Sequence, residues 1–241
     1  MHLDGVVLLA ASTPRSQAYL QALVANGLKP DRVILFGEQT AHETRQMDAP
    51  QRFREIVLPN LTESLAVSSE QAGIATSSCA TGDVNADEVA DEIADASPRV
   101  VIYSGRGGQI VGERLLRLGP QFLHLHSGWL PEYRGSTTLY YALLNGEPPA
   151  VTAILLDRMI DTGPVVARRH YPRPPASLDL DRVYDAAIRA DLLVRVMREY
   201  ATNGSFPVVQ HQTPSEGTTY YVIHPVLKHL ARLSLSPEET S

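Results

Sequence analysis

Apolar and polar positions alternate along this chain in blocks of two kinds. Short aliphatic and β-branched runs recur at "GVVLLAA" (5–11), "DRVILFG" (31–37), "IATSSC" (74–79), "RVVIYSG" (99–105), "QFLHLH" (121–126) and "AVTAILLD" (150–157). Runs of this length and make-up predict buried strands. Between them lie stretches with apolar residues three and four apart. "TPRSQAYLQALVANG" (13–27) has Thr13 as an N-cap, Pro14 at the first helical position and Gly27 as its stop, the asymmetry that helices favour. "LTESLAVSSEQAG" (61–73) also ends on glycine, and "NADEVADEIADA" (85–96) opens with Asn85 as a cap. "GERLLRLG" (112–119) and "STTLYYALLNG" (136–146) predict short helices, and the polar "AHETRQMDAPQRFREI" (41–56) reads as a further helical stretch. The longest helical pattern covers 178–204, with Val183, Ala187, Leu193, Val196 and Met197 near helical spacing.

Strand–helix alternation predicts an open parallel sheet with helices on both faces. In such sheets ligands bind outside the carboxyl ends of the strands. Residues 1–204 read as one domain, and 205–241 as an extension that packs over the core. The central "RVVIYSG" strand and the "QFLHLH" strand then point their ends at the expected site.

Composition narrows the field by exclusion. The chain has 241 residues and a formal net charge of −6, with its arginines scattered rather than clustered. No basic stripe suggests a nucleic-acid partner. The N-terminus lacks a basic leader region and no apolar run approaches a bilayer span, so a cytoplasmic, membrane-free protein is expected. The single cysteine, Cys79, excludes an internal disulfide framework and a cysteine-rich zinc site.

Candidate chemistry gathers in "FLHLHSGWLPEYRG" (122–135). His124 and His126 are two apart on a strand, so both imidazoles project from one face. "DRMIDTGPVV" (157–166) sets Asp161 before a Thr-Gly-Pro turn, and "SGRGGQIVG" (104–112) is a glycine-rich loop leaving a central strand. That loop is no phosphate loop, since no Gly-Lys-Ser/Thr follows, but its glycines let backbone groups approach a flat heterocycle. The "AASTPRS" turn lacks the glycines of a dinucleotide site. Three readings of the histidine pair follow: satisfied core residues, a metal site completed by a carboxylate, or a metal-free acid–base and oxyanion-stabilising pair. Spacing alone leaves them open.

The order of these features resembles the 10-formyltetrahydrofolate-dependent formyltransferase family, to which glycinamide ribonucleotide, methionyl-tRNA and nucleotide-sugar formyltransferases belong. The family's strand ending N-x-H-P-S-L-L-P, its tyrosine–arginine–glycine turn, its helix ending "LLNG" and its "VT...D.GIDTG" strand resemble "HLHSGWLPEYRGSTTLYYALLNGEPPAVTAILLDRMIDTGPVV" over 124–166. The likeness extends upstream to residue 98 and downstream through the helix ending at 204. It implies a Rossmann-like formyltransferase fold, an open, mostly parallel twisted sheet with helices on both faces. It further implies 10-formyltetrahydrofolate as co-substrate, held by Arg106, Gly107, Gly108, Gln109, Ile110 and Val111 together with Asp157 and Ile160. His126 falls on the family's catalytic histidine and Asp161 on its catalytic aspartate. His124 falls on the position of the third catalytic residue, normally asparagine, and Ser127 and Gly128 stand where the family has proline and serine.

By that resemblance an amine attacks the formyl carbon and a tetrahedral intermediate carries negative charge on oxygen. A protonated imidazole and a neutral N–H donor stabilise that oxygen, and the carboxylate orients the ring and helps remove the proton of the amine. No metal is required. The expected acceptor is a small amine, first an amino sugar, free or nucleotide-linked, and second an amino-acid-like amine. Trp129, Tyr133, Arg134 and Tyr140 are candidates for the acceptor pocket, with core packing the alternative for the aromatic residues. A homodimer is compatible with these features. A formyl hydrolase on the same fold, or a metal-binding descendant built from His124, His126 and Asp161, are the competing functions.

Overall fold

The structure is a computed structural model and describes residues 1–38, 51–213 and 215–236. The first strand, β1 (His2–Ala11), turns at Ser12 into α1 (Pro14–Ala25), where the Thr13 side chain accepts from the Ser16 N–H at 3.2 Å. β2 (Lys29–Phe36) follows, and then a two-residue hairpin of β3 (Arg52–Phe53) and β4 (Ile56–Val57). α2 (Leu65–Ala72), β5 (Ala75–Cys79), α3 (Asp87–Ala96) and β6 (Val100–Ser104) complete the first half. The second half runs through α4 (Glu113–Leu116), β7 (Gln121–Ser127), β8 (Tyr133–Gly135), α5 (Thr138–Leu144), β9 (Ala150–Leu155) and β10 (Val165–His170). One wide helical turn, Leu180–Tyr184, leads into α6 (Asp185–Asn203), which Gly204 ends in a left-handed conformation. β11 (Thr218–Tyr220) and α7 (Pro225–Leu233) close the described chain.

Seven strands form one sheet in the order β10-β9-β7-β6-β1-β2-β5. The five from β5 to β7 are mutually parallel, and β9 and β10 each run antiparallel to the neighbour before them. The chain therefore belongs to the open, mostly parallel α/β class, with helices on both faces. β1 shows why such strands read as unbroken apolar runs. Val6, Leu8 and Ala10 join the core under α1 and α6, whereas Val7, Leu9 and Ala11 join the core under α3 and α4. The strand order reverses between β1 and β6, the crevice where open sheets bind ligands. Ser16 pins that crevice, since its hydroxyl lies 2.8 Å from the Ser104 hydroxyl at the end of β6.

Three local expectations are revised. Asn85 does not cap α3: Ala86 occupies the cap position without a side-chain bond. The Asn85 amide instead accepts from the Gly112 N–H at 2.6 Å and donates to the Ile110 carbonyl at 2.9 Å, so it shapes the glycine-rich loop. Of the helical stretch read at 41–56, residues 41–50 lie outside the described residues, and the rest enters the β3–β4 hairpin. There Ile56 is buried and Phe53 meets Tyr184 edge-on at 6.1 Å, so tertiary packing outweighs the polar helical period. β10, with "VVARRH", has no period-2 alternation to announce it and is an edge strand held by β9.

Among the described residues, no helix is long and apolar enough to cross a membrane.

Candidate functional site

Period-2 geometry sends Leu123 and Leu125 of β7 into the core under α1 and α6, and Phe122 into the opposite one. His124 and His126 share the face of Phe122, but lie toward the carboxyl end of the strand. The register pairs His126 with Thr152 of β9. Thr152 is fully buried, accepts from the Leu130 N–H at 3.1 Å and donates to the Gly128 carbonyl at 2.7 Å. It thereby holds the 128–130 loop against β9. The Leu130–Pro131 peptide bond is cis.

The turn after β9 folds back and brings Asp161 to His126. Asp157 anchors this turn by accepting from the Met159 N–H at 3.0 Å and from the Thr162 hydroxyl at 2.8 Å. Asp161 itself has a φ of 56°, a left-handed conformation that aspartate tolerates better than most residues. Its Oδ1 lies 3.4 Å from His126 Nδ1, and its Oδ2 accepts from the Gly135 N–H at 2.8 Å. His126 Nε2 lies 2.7 Å from the Tyr133 carbonyl, to which it donates. Both side chains are buried. Burial favours the neutral acid, yet the His126 charge and hydrogen bond, His124 and the Gly135 N–H together hold the Asp161 carboxyl well below the usual carboxylate range.

His124 completes the cluster. Donor atoms of His124, His126 and Asp161 all lie within 4.8 Å of one another. Burial, and secondarily the Arg15 charge, pushes the His124 imidazole down to about 3, so it is neutral at ordinary pH. Its Nδ1 is buried with no partner among the described residues, a condition that costs roughly 1–3 kcal/mol. Tyr103 of β6 flanks the ring, with centroids 6.1 Å apart.

Behind this cluster lies a charged layer that sequence patterning misses. Arg15 donates to the Gly105 carbonyl, and its Nε lies 3.4 Å from the Ser104 hydroxyl. Arg189 of α6 donates to Asp185 at 2.8 Å and to the Leu125 carbonyl at 2.6 Å, and Asp185 accepts from Ser127 at 2.5 Å. The Arg189–Leu125 and Ser127–Asp185 contacts fix β7 on either side of His126. No local motif signals them or the Arg15 contacts, because they join residues roughly 60 to 90 positions apart.

The glycine-rich loop 105–112 is internally braced. Gln109 accepts from the Arg106 N–H at 3.1 Å and donates to the Gly82 carbonyl at 2.6 Å, and Tyr103 donates to the Gln109 carbonyl at 3.3 Å. Val111 is buried, but Ile110, Met159 and Ile160 are each more than half exposed. Arg158 reaches Glu113 at 3.3 Å and ties the 157–163 turn to the end of this loop, a surface pair worth roughly 0–1 kcal/mol. Two loops with exposed apolar residues and free-standing glycines (Gly107 and Gly108, where an added Cβ meets nothing within 4 Å) fit a flat heterocycle.

Each of the expected acceptor residues has partners within the fold. Trp129 stacks on His170 at 4.1 Å and carries the Arg168 guanidinium at 4.5 Å over its ring. Tyr133 stacks on Tyr220 at 5.2 Å and accepts from Asn145, and Tyr140 donates to Asp181 at 2.7 Å under Lys228. Arg134 is buried and donates to the carbonyls of Glu216 at 2.5 Å and Thr213 at 2.9 Å, and to Gln212 at 3.2 Å. It moors the segment leading to β11. Replacing Arg134 with alanine is expected to cost about 2–3 kcal/mol in urea unfolding, since these are charge-assisted bonds to buried groups. Limited proteolysis of the variant is expected to cut near residues 209–222 well before the wild type is cut.

A buried imidazole–carboxylate pair beside a neutral imidazole, next to the switch point of an open sheet, is equipped to stabilise a tetrahedral oxyanion and relay a proton. That is the equipment of acyl transfer. The chain belongs to the formyl transferase family, whose model matches residues 5–191. It is 30% identical over 136 residues to a methionyl-tRNA formyltransferase of Trichlorobacter lovleyi, a match covering 55% of this chain and 42% of that protein. The chain thus spans less than half the length of that curated relative. Among solved structures, it is similar to a sugar N-formyltransferase from Shewanella sp FDAARGOS_354, with a TM-score of 0.57, 15% identity and coverage of 99% and 89% of the two chains. It is also similar to the N-formyltransferase from Helicobacter canadensis in complex with folinic acid and dTDP-3-aminofucose, with a TM-score of 0.54, 18% identity and coverage of 89% and 70%. At these identities the structural likeness speaks for the fold.

Proposed function

We propose that this chain transfers the formyl group of 10-formyltetrahydrofolate to the amine of a small acceptor, an amino sugar, free or nucleotide-linked. The observation that carries the reading is the buried His126–Asp161 pair with His124 beside it. In this scheme the pterin lies along Ile110, Met159 and Ile160, contacted by the 106–111 backbone and the Asp157 turn. The acceptor amine attacks the formyl carbon, and the His126 Nε2–H turns from the Tyr133 carbonyl to the oxygen that becomes negative. Asp161 takes up the proton that the amine loses, directly or through water. That proton passes to N10 of the folate as the bond from carbon to N10 breaks, leaving tetrahydrofolate, the formamide and the Asp161 carboxylate restored.

His124 takes the place of the family's asparagine. An asparagine supplies a neutral donor at every pH. A buried imidazole held neutral supplies one N–H donor in the same way, which supports formyl transfer in spite of the changed residue type. The amino-sugar acceptor draws support from the solved structures of sugar formyltransferases with this fold. The curated relatives favour a second reading, in which the acceptor is an aminoacyl group on tRNA. The net charge of −6 weighs against it.

Purified protein mixed with 10-formyltetrahydrofolate and a panel of nucleotide-linked amino sugars, free amino sugars and methionyl-tRNA separates these readings. Mass spectrometry is expected to find a 28-Da adduct on an amino sugar. A formylated methionyl-tRNA instead would assign the second reading, and formate released without any acceptor would assign a hydrolase.

A further inference from the structure

We infer that His124, His126 and Asp161 also form a binding site for one divalent transition-metal ion of the zinc class, and that an ion held there arrests group transfer. Four observations on geometry meet at this point. Two imidazoles and one carboxylate, with donor atoms all within 4.8 Å of one another, are the donor set that zinc takes in three-ligand sites. The 3.4 Å between His126 Nδ1 and Asp161 Oδ1 is the spacing of two ligands at a tetrahedral angle around an ion with bonds of about 2.0–2.1 Å.

The supports behind these atoms are also those of a metal site. His126 Nε2 donates to the Tyr133 carbonyl, so a metal ion that displaces the Nδ1 proton finds that nitrogen's lone pair beside Asp161. A backbone carbonyl behind a ligating imidazole fixes its tautomer and orientation in this manner. Asp161 has Oδ2 engaged by the Gly135 N–H and keeps Oδ1 for the ion. The fourth observation is His124 Nδ1, a buried ring nitrogen with no partner among the described residues. An asparagine would offer no comparable ligand, so the histidine at this position is what turns a proton-relay pair into a chelating triad. The widest gap is no more than 4.8 Å, so reaching a ligand spacing of about 3.4 Å takes a shift of at most about 1.4 Å, which an imidazole on a strand end can make by side-chain rotation.

The consequence for the reaction follows from occupancy. An ion on His126 Nδ1 and Asp161 Oδ1 holds both lone pairs that the proton relay uses. Metal binding stands independently of the proposed function, whereas the arrest clause rests on it.

The test uses the 241-residue protein stripped with EDTA and dialysed. Calorimetric titration with zinc chloride is expected to give one tight equivalent, and cobalt(II) added in its place is expected to give the intense visible absorption of a four-coordinate ion. His124→Asn and Asp161→Asn are each expected to weaken zinc binding at least 100-fold and to lose the cobalt band, with circular dichroism confirming that both variants are folded. His2→Ala addresses the exposed cluster of His2, Asp4 and Asp31, which also gathers three potential ligands, and is expected to leave the tight equivalent intact. No stoichiometric uptake, or uptake that survives His124→Asn and disappears with His2→Ala, would overturn the site. One equivalent of zinc is expected to slow formyl transfer at least tenfold, with EDTA restoring it, and unchanged turnover would overturn the arrest. Tight zinc binding by a protein that transfers no formyl group in either state would leave the site standing and remove the function proposed above.

Discussion

His126→Ala is expected to lower kcat for formyl transfer by about 10³–10⁴-fold, the combined loss of an oxyanion donor and of a positioned proton-transfer partner. KM for the folate is expected to change little, because the pterin contacts proposed here belong to the 106–111 loop and the 157–161 turn. The substitution also has a structural cost that can be separated from the chemistry. It leaves the Tyr133 carbonyl and the buried Asp161 carboxylate without the partner they share. Breaking a buried pair from one side costs about 3–5 kcal/mol, which a domain of ordinary stability survives. Urea unfolding of the variant gives the folded fraction, and turnover per folded molecule then gives the chemical effect. Retention of more than a tenth of wild-type kcat would mean that another group stabilises the oxyanion.

Gly163→Ala is expected to be nearly as damaging by a different route. Gly163 sits where the 157–163 turn closes back on β9, with the Pro164 carbonyl accepting from the Leu155 N–H at 3.1 Å and Gln212 donating to the Gly163 carbonyl at 2.7 Å. A Cβ at this position would overlap the Leu155 carbonyl oxygen, a backbone atom that cannot step aside. The turn must therefore move, and Asp161, two residues earlier, moves with it. Displacements of about 1 Å at a reacting centre are sufficient for a 10²-fold loss of rate, and overpacking adds about 1–3 kcal/mol of instability. Gly27→Ala is the matched control. An added methyl there meets nothing within 4 Å, and only the positive φ of 71° is strained. It is expected to cost about 1 kcal/mol with full activity.

These two variants illustrate what the residues disclose and what they hide. The parallel sheet was legible because β1, β2 and β6 are buried on both faces and so appear as unbroken apolar runs. His126 and Asp161 were legible because a strand ending in two alternate histidines and an aspartate before a Thr-Gly-Pro turn form a specific joint pattern. The structure brings them to 3.4 Å. Hidden were the contacts made across the sheet. Thr152 looks like one more β-branched strand residue, yet it clasps the 128–130 loop from the position opposite His126. Arg15 and Arg189 belong to arginines that read as scattered rather than clustered, yet they hold the ends of β6 and β7. Arg134 was a candidate for an acceptor anion, and the structure shows its guanidinium donating to the carbonyls of Thr213 and Glu216. In each case the deciding partner is distant in sequence, and local periodicity holds no record of it.

The most direct measurement follows the formyl group itself. Wild-type protein and Asp161→Asn are each mixed with 10-formyltetrahydrofolate labelled in the formyl carbon, together with a nucleotide-linked amino sugar, and label is counted in tetrahydrofolate-free sugar product. The account predicts label on the sugar amine for the wild type and a rate at least 10²-fold lower for the variant. Equal rates for the two proteins, or label that never leaves the folate, would contradict it.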